Sequence, residues 1–116
     1  MNNEDMQLEY NHRIREVENE MDRLISERRN MENTIGQMDS FYNSAFGQLA
    51  ELNKKTIALG GTSALFTYEA DEEKHQYMKR MFRQKYEELQ YHYKREKMKL
   101  EEKRESLYRE RKKYFD

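Results

Sequence analysis

The sequence predicts an all-α fold: an antiparallel two-helix hairpin, a coiled coil with long helices. Three observations carry that prediction. The first is a run of thirteen alternating four- and three-residue steps through the first half of the chain. It lands on Tyr10, Ile14, Val17, Met21, Leu24, Arg28, Met31, Ile35, Met38, Tyr42, Ala45, Leu49, Leu52 and Thr56, and only Arg28 and Thr56 interrupt its apolar and aromatic character. A 4-3 spacing sets side chains on one stripe of a slightly underwound helix, the stripe that packs on a partner helix. The second observation is the absence of proline from all 116 residues, which suits long uninterrupted helices and not a loop-rich fold. The third is one glycine pair, Gly60-Gly61, followed by Thr62 and Ser63.

The elements follow in order. Helix one is expected over about 4–59. The turn falls at about 60–63, where a glycine takes the left-handed conformation that ends a helix and Thr62 or Ser63 caps the next. Helix two follows over about 64–114, and residues 1–116 form one helical-hairpin domain. At 1.5 Å rise per residue each helix is on the order of 75 Å long. Gly36 and Gly47 are weak points inside helix one, and Asp39 or Ser40 offers a cap for an alternative three-helix arrangement. The unbroken 4-3 phase through this region favours one continuous helix. The stripe of helix two is thinner: Tyr68, His75, Phe82, Tyr86, Leu89, Tyr93, Leu100, Leu107 and Tyr114 share one heptad phase.

Charge gives an independent reading of the topology. Residues 1–40 hold ten acidic residues against five arginines, and residues 94–113 hold ten basic residues against five glutamates. A fold-back at Gly60-Gly61 sets position i roughly opposite position 122 − i. The acidic end of helix one then lies beside the basic end of helix two. Each exposed pair contributes only a few tenths of a kcal/mol, so this charge pattern selects an orientation and does not hold the fold.

Composition also restricts the classes of function. The chain has no cysteine, hence no disulfide framework and no thiolate metal site. No apolar run approaches the ~20 residues of a membrane span. The polar N-terminus lacks the apolar core of a cleaved signal, so a cytoplasmic location is expected, with export by a route that uses no cleaved signal left open. No nucleophile constellation and no phosphate-binding glycine loop is present, so no enzymatic activity is expected. Glu72 with His75, and Glu88 with His92, have metal-like spacing. Such pairs arise by chance among 23 acidic residues, and no metal or other cofactor is expected. The basic stretch 94–113 is interrupted by glutamates in a chain of net charge −1, and reads as a face paired with acidic helix one, not as a nucleic-acid site.

The eight methionines and nine tyrosines carry more information. Methionine packs adaptably, and tyrosine gives large contact area with a polar tip. Tyr42, Phe46, Tyr77, Phe82, Tyr91 and Tyr93 exceed what one two-helix seam covers. A second apolar face is therefore expected near the middle of the hairpin. With Met81 and Tyr86 beside it, it forms the expected surface for another helical chain, and the apolar tip, Leu59 with Leu65 and Phe66, is a second candidate contact.

A small helical hairpin without proline or cysteine, with an acidic first helix and the ending Glu105-Ser106-Leu107-Tyr108-Arg109-Glu110-Arg111, resembles the small helical targeting partners of LXG toxins. Those proteins serve the type VIIb secretion system of Gram-positive bacteria. The resemblance implies a chaperone or adaptor that packs, together with a second small helical protein, on the helical N-terminal domain of a secreted toxin. The related Trp-x-Gly hairpins carry tryptophan in the turn, and this chain has none. Their Tyr-x-x-x-Asp/Glu tail signal occurs here only as Tyr68 and Glu72, which fits a member that holds the toxin helices while another partner carries the signal. The alternative is a self-associating structural coiled coil, a homodimeric four-helix bundle, or a stalk or escort protein of an export apparatus.

Overall fold

A computed structural model describes residues 2–115 and forms the antiparallel helical hairpin. Helix α1 spans Asn3–Ala58 and α2 spans Thr62–Arg111, followed by a 3-10 turn at Lys112–Tyr114. No strand occurs among the described residues.

α1 starts where its cap is. The Asn2 Oδ1 accepts the Asp5 backbone N–H at 2.8 Å, and Glu4 and Asp5 oppose the positive end of the helix dipole. The helix runs through Gly36 and Gly47 without a break. A Cβ at either glycine would meet nothing within 4 Å.

α1 stops through a Schellman motif. Gly61 N–H donates to Thr56 C=O at 3.1 Å and Gly60 N–H to Ile57 C=O at 3.0 Å. Gly60 takes φ +91°, where an L side chain is strained. Gly61 is required for a different reason, because a Cβ there would lie 2.9 Å from Thr56 Cγ2 and 3.1 Å from Thr56 O. The turn is tighter than expected, since α2 already begins at Thr62.

The chain packs as two compact segments, one joining residues up to Asn30 with those from Leu89, the other spanning Met31–Glu88. In the end segment, Tyr10, Ile14, Val17 and Tyr93 are buried, Val17 most completely at 2% exposure. Tyr10 stacks on Tyr114 with ring centroids 5.6 Å apart. Gln7 donates to the Tyr114 carbonyl, Arg111 to Asn11 Oδ1 at 2.7 Å, and Tyr108 to Glu18 Oε1 at 3.3 Å. The numbers in these pairs (7 with 114, 11 with 111, 18 with 108) sum close to the expected 122. The ion pairs His12–Glu16, Arg13–Glu9, Lys97–Glu101, Lys99–Glu96 and Arg109–Glu105 each lie within one helix. Hydrogen bonds and ring stacking link the two helices in this segment.

In the loop segment, Asn53, Ala64 and Phe82 are buried. Phe82 packs on Tyr42 with centroids 5.8 Å apart, and Phe46 stacks on the His75 ring at 4.9 Å. The His75 Nε2 lies 2.7 Å from Asn43 Oδ1, and Asn53 Nδ2 donates to Asp71 Oδ2 at 3.0 Å. The expected register therefore holds inside this segment too.

The inward-facing stripe of α1 departs from expectation here. Up to Arg28 it is the predicted one. Beyond it, the buried and half-buried positions include Glu32, Ile35, Asp39, Tyr42, Phe46, Ala50, Asn53 and Ile57. Met31, Met38, Leu49, Leu52 and Thr56 are exposed, although the 4-3 series had placed them in the seam. The reason is geometric. An α-helix closes a turn in 3.6 residues, so a strict 3.5 repeat drifts about 20° per heptad unless the helix supercoils. The polar residues carried inward are accommodated by hydrogen bonds such as Asn53–Asp71.

The turn and the two inner glycines respond oppositely to the same substitution. Gly60→Ala is expected to lower unfolding stability by about 1–2 kcal/mol because of its positive φ. Gly36→Ala and Gly47→Ala are expected to raise it by roughly 0.5–1 kcal/mol each. Urea denaturation followed by circular dichroism checks both signs.

Candidate protein-binding surface

The residues expected to bind a partner separate into two groups. Phe82 and Tyr93 are 7% and 8% exposed, and both rings belong to the hairpin's own packing. Tyr42 and Phe46 are half-buried against Phe82 and His75. The expectation that these four exceed one seam is corrected: in the loop segment, where polar residues rotate inward on α1, Tyr42, Phe46 and Phe82 fill the seam, and Tyr93 is buried within the end segment. Met81 is half-buried beside Phe82.

The second group faces outward. Leu59 is 89% exposed at the tip and Phe66 73% exposed in the first turns of α2. Tyr77 and Tyr91 are each more than half exposed. Tyr91 carries the Arg95 guanidinium over its ring at 5.6 Å, a cation–π contact that leaves the other ring face accessible. Tyr86 lies on the inward heptad phase yet is exposed, in an open groove that it lines with Ile35, Gly36, Lys79, Phe82 and Arg83.

One apolar surface escaped the sequence reading as a surface: the flank of α1 in the loop segment, where Met31, Met38, Phe41, Leu49 and Leu52 are exposed. The signal for it was local charge. Residues 33–50 hold a single charged side chain, Asp39, in a chain that is 39% charged overall. At the tip, residues 56–68 hold no charge, and Leu59, Leu65 and Phe66 are all exposed. Charge depletion with aromatic and methionine enrichment marks the core of protein interfaces.

Polar chemistry is sparse. No group of three or more histidine, cysteine, aspartate or glutamate side chains among the described residues is placed to hold a metal ion. His75 is engaged by Phe46 and Asn43, Glu88 accepts hydrogen bonds from Gln84 and Lys85, and His92 lies edge-on to Tyr93. Burial pushes the Tyr10 phenol above its usual range, reinforced by the Glu110 carboxylate that accepts its hydrogen bond. No helix among the described residues is long and apolar enough to cross a membrane.

Two substitutions and one pH series test this placement. Phe82→Ala is expected to destabilise the hairpin by about 3–5 kcal/mol. Tyr77→Ala and Tyr91→Ala are expected to change it by no more than about 0.5 kcal/mol in thermal melts. Tyr10 has its phenol pKa raised on folding, so its contribution is fully present below the unfolded value of 10.0 and is lost as pH rises through the folded value. Above pH 10 the melting temperature is expected to fall less steeply in Tyr10→Phe than in the parent chain. No protein-family model, curated protein or solved structure matches this chain.

Proposed function

We propose that this chain is a non-enzymatic adaptor or chaperone that packs on the helical N-terminal domain of a larger secreted protein of the LXG-toxin type and helps target it for export. The reading rests on one observation above others. The tip is free of charge over residues 56–68 and holds Leu59 and Phe66 almost wholly in solvent. An apolar tip of this kind gains by being covered, because each Å² of apolar surface removed from water contributes roughly 25 cal/mol. Tyr77, in the same segment as the tip, and Tyr91, in the end segment, are further exposed residues of the type enriched in interfaces. The hairpin resemblance supplies the class of client, and cytoplasmic assembly before export follows from it.

Co-expression with the helical N-terminal domain of an LXG toxin from the same genome tests the proposal. The two chains are expected to co-purify, and the hairpin's melting temperature to rise in the complex, since a ligand that binds only the folded state stabilises it. Leu59→Ser with Phe66→Ser is expected to abolish co-purification and leave the free hairpin's helicity unchanged. Independent migration of the two chains would overturn the client assignment.

A further inference from the structure

The outer half of α2 in the end segment carries positive charge that the fold does not neutralise. Lys94, Arg95, Lys99, Arg109, Lys112 and Lys113 are all exposed. At 3.6 residues per turn they fall on the side of the helix away from Tyr93, Leu100 and Leu107, which pack inward. Lys99 pairs with Glu96 and Arg109 with Glu105, both within α2, while Lys94, Lys112 and Lys113 form no ion pair among the described residues. Only two exposed acids, Glu102 and Glu105, share the strip. The acids of α1 stand behind α2, about one helix diameter or 10 Å farther off. Over that distance physiological salt screens most of their field. The expected pairing of this face with acidic helix one therefore leaves its outer side uncompensated.

From Lys94 to Lys113 the strip runs without a break for roughly 28 Å. A straight line of charge meets a planar anionic surface along its whole length, whereas a nucleic-acid duplex meets it only where a curved strand crosses. Four of the six bases are lysines, flexible point charges suited to a diffuse field, while two-pronged phosphate recognition favours arginine. Met98 is 51% exposed in the same strip, and Tyr91 stands at its end with Arg95 over the ring. A methionine gains nothing from phosphates, but it gains by sinking below lipid headgroups, and tyrosine settles at that boundary. We infer that this face of α2 docks on a bilayer bearing anionic lipid, lying in the membrane plane with its lysines on the headgroups and Met98 toward the acyl chains. No segment crosses the bilayer in this arrangement. The inference uses the basic face and the client assignment uses the apolar tip, so either can fail without the other. Tyr91, common to both surfaces, is left unchanged in the test.

The test is sedimentation of the full chain with vesicles. Vesicles of phosphatidylserine and phosphatidylcholine in equal parts are expected to carry the chain down, and pure phosphatidylcholine to leave it in solution. A base near an anionic surface contributes about five-fold in affinity, so Lys94→Gln with Lys113→Gln is expected to weaken binding roughly 25-fold. Arg15→Gln with Arg23→Gln removes the same charge from exposed positions of α1 and is expected to change binding by no more than about two-fold. Helical circular dichroism is expected to be the same in all of them. The chain has no tryptophan, so Met98→Trp reports depth. Its emission is expected to shift to the blue on mixed vesicles, and that of Asn19→Trp, on α1, to stay in place. A chain that stays in solution with mixed vesicles overturns the inference. So does an equal loss of binding in the α1 double variant, which would assign the effect to net charge and not to this face. Displacement from the vesicles by duplex DNA at equal phosphate overturns it in favour of a nucleic acid.

Discussion

The 3.6-residue turn of the α-helix is the constraint on which the arrangement of this hairpin depends. α1 carries a 3.5-residue apolar repeat from Tyr10 to Thr56, and no straight helix keeps such a repeat on one face for that distance. Near the chain ends the two periods still coincide, and there the packing is apolar and aromatic: Ile14, Val17, the Tyr10–Tyr114 stack and Tyr93. Beyond Arg28 they part progressively: Ile35, Tyr42 and Ala45 of the repeat stay half-buried, and from Leu49 on every member is exposed. The seam then takes in Asp39, Asn43 and Asn53, and the methionines and leucines of the repeat turn to solvent.

That divergence links fold to function. A buried polar group is tolerated only when it is hydrogen-bonded, and Asn53–Asp71 and Asn43–His75 meet that condition. Large rings fill the remaining volume, which is why Tyr42, Phe46 and Phe82 are drawn into the hairpin. The displaced side chains, with Phe41, form a flank free of outward charge, and the tip adds a second uncharged surface. Both are costly to leave in water and suited to being covered by protein. The chemistry of this molecule thus lies in what its surfaces exclude.

Much of this was legible in the sequence. Periodicity, the absence of proline and the Gly60-Gly61 pair together define two helices and their connection, because each reports a local backbone requirement. The pairing rule of 122 − i follows from the position of that turn. The Asn2 cap lies just ahead of the expected start of helix one, and sequence alone does not separate it from Asn3, an equally strong capping type. The seam in the loop segment was misassigned because hydrophobic pattern records which residues avoid water in the finished assembly, and a partner helix satisfies that pattern as well as the chain's own fold does. Local charge depletion over residues 33–50 marks the exposed flank, and it is visible without coordinates.

The most direct test of this account asks which side of α1 meets α2 near the tip. Cysteines placed at Asn53 and Asp71, whose side chains share a hydrogen bond, should be joined rapidly by a short thiol cross-linker within one chain, and cysteines at Leu52 and Asp71 should not. The reverse order would mean that the 3.5-residue repeat stays in the seam to its end. The exposed flank would then not exist.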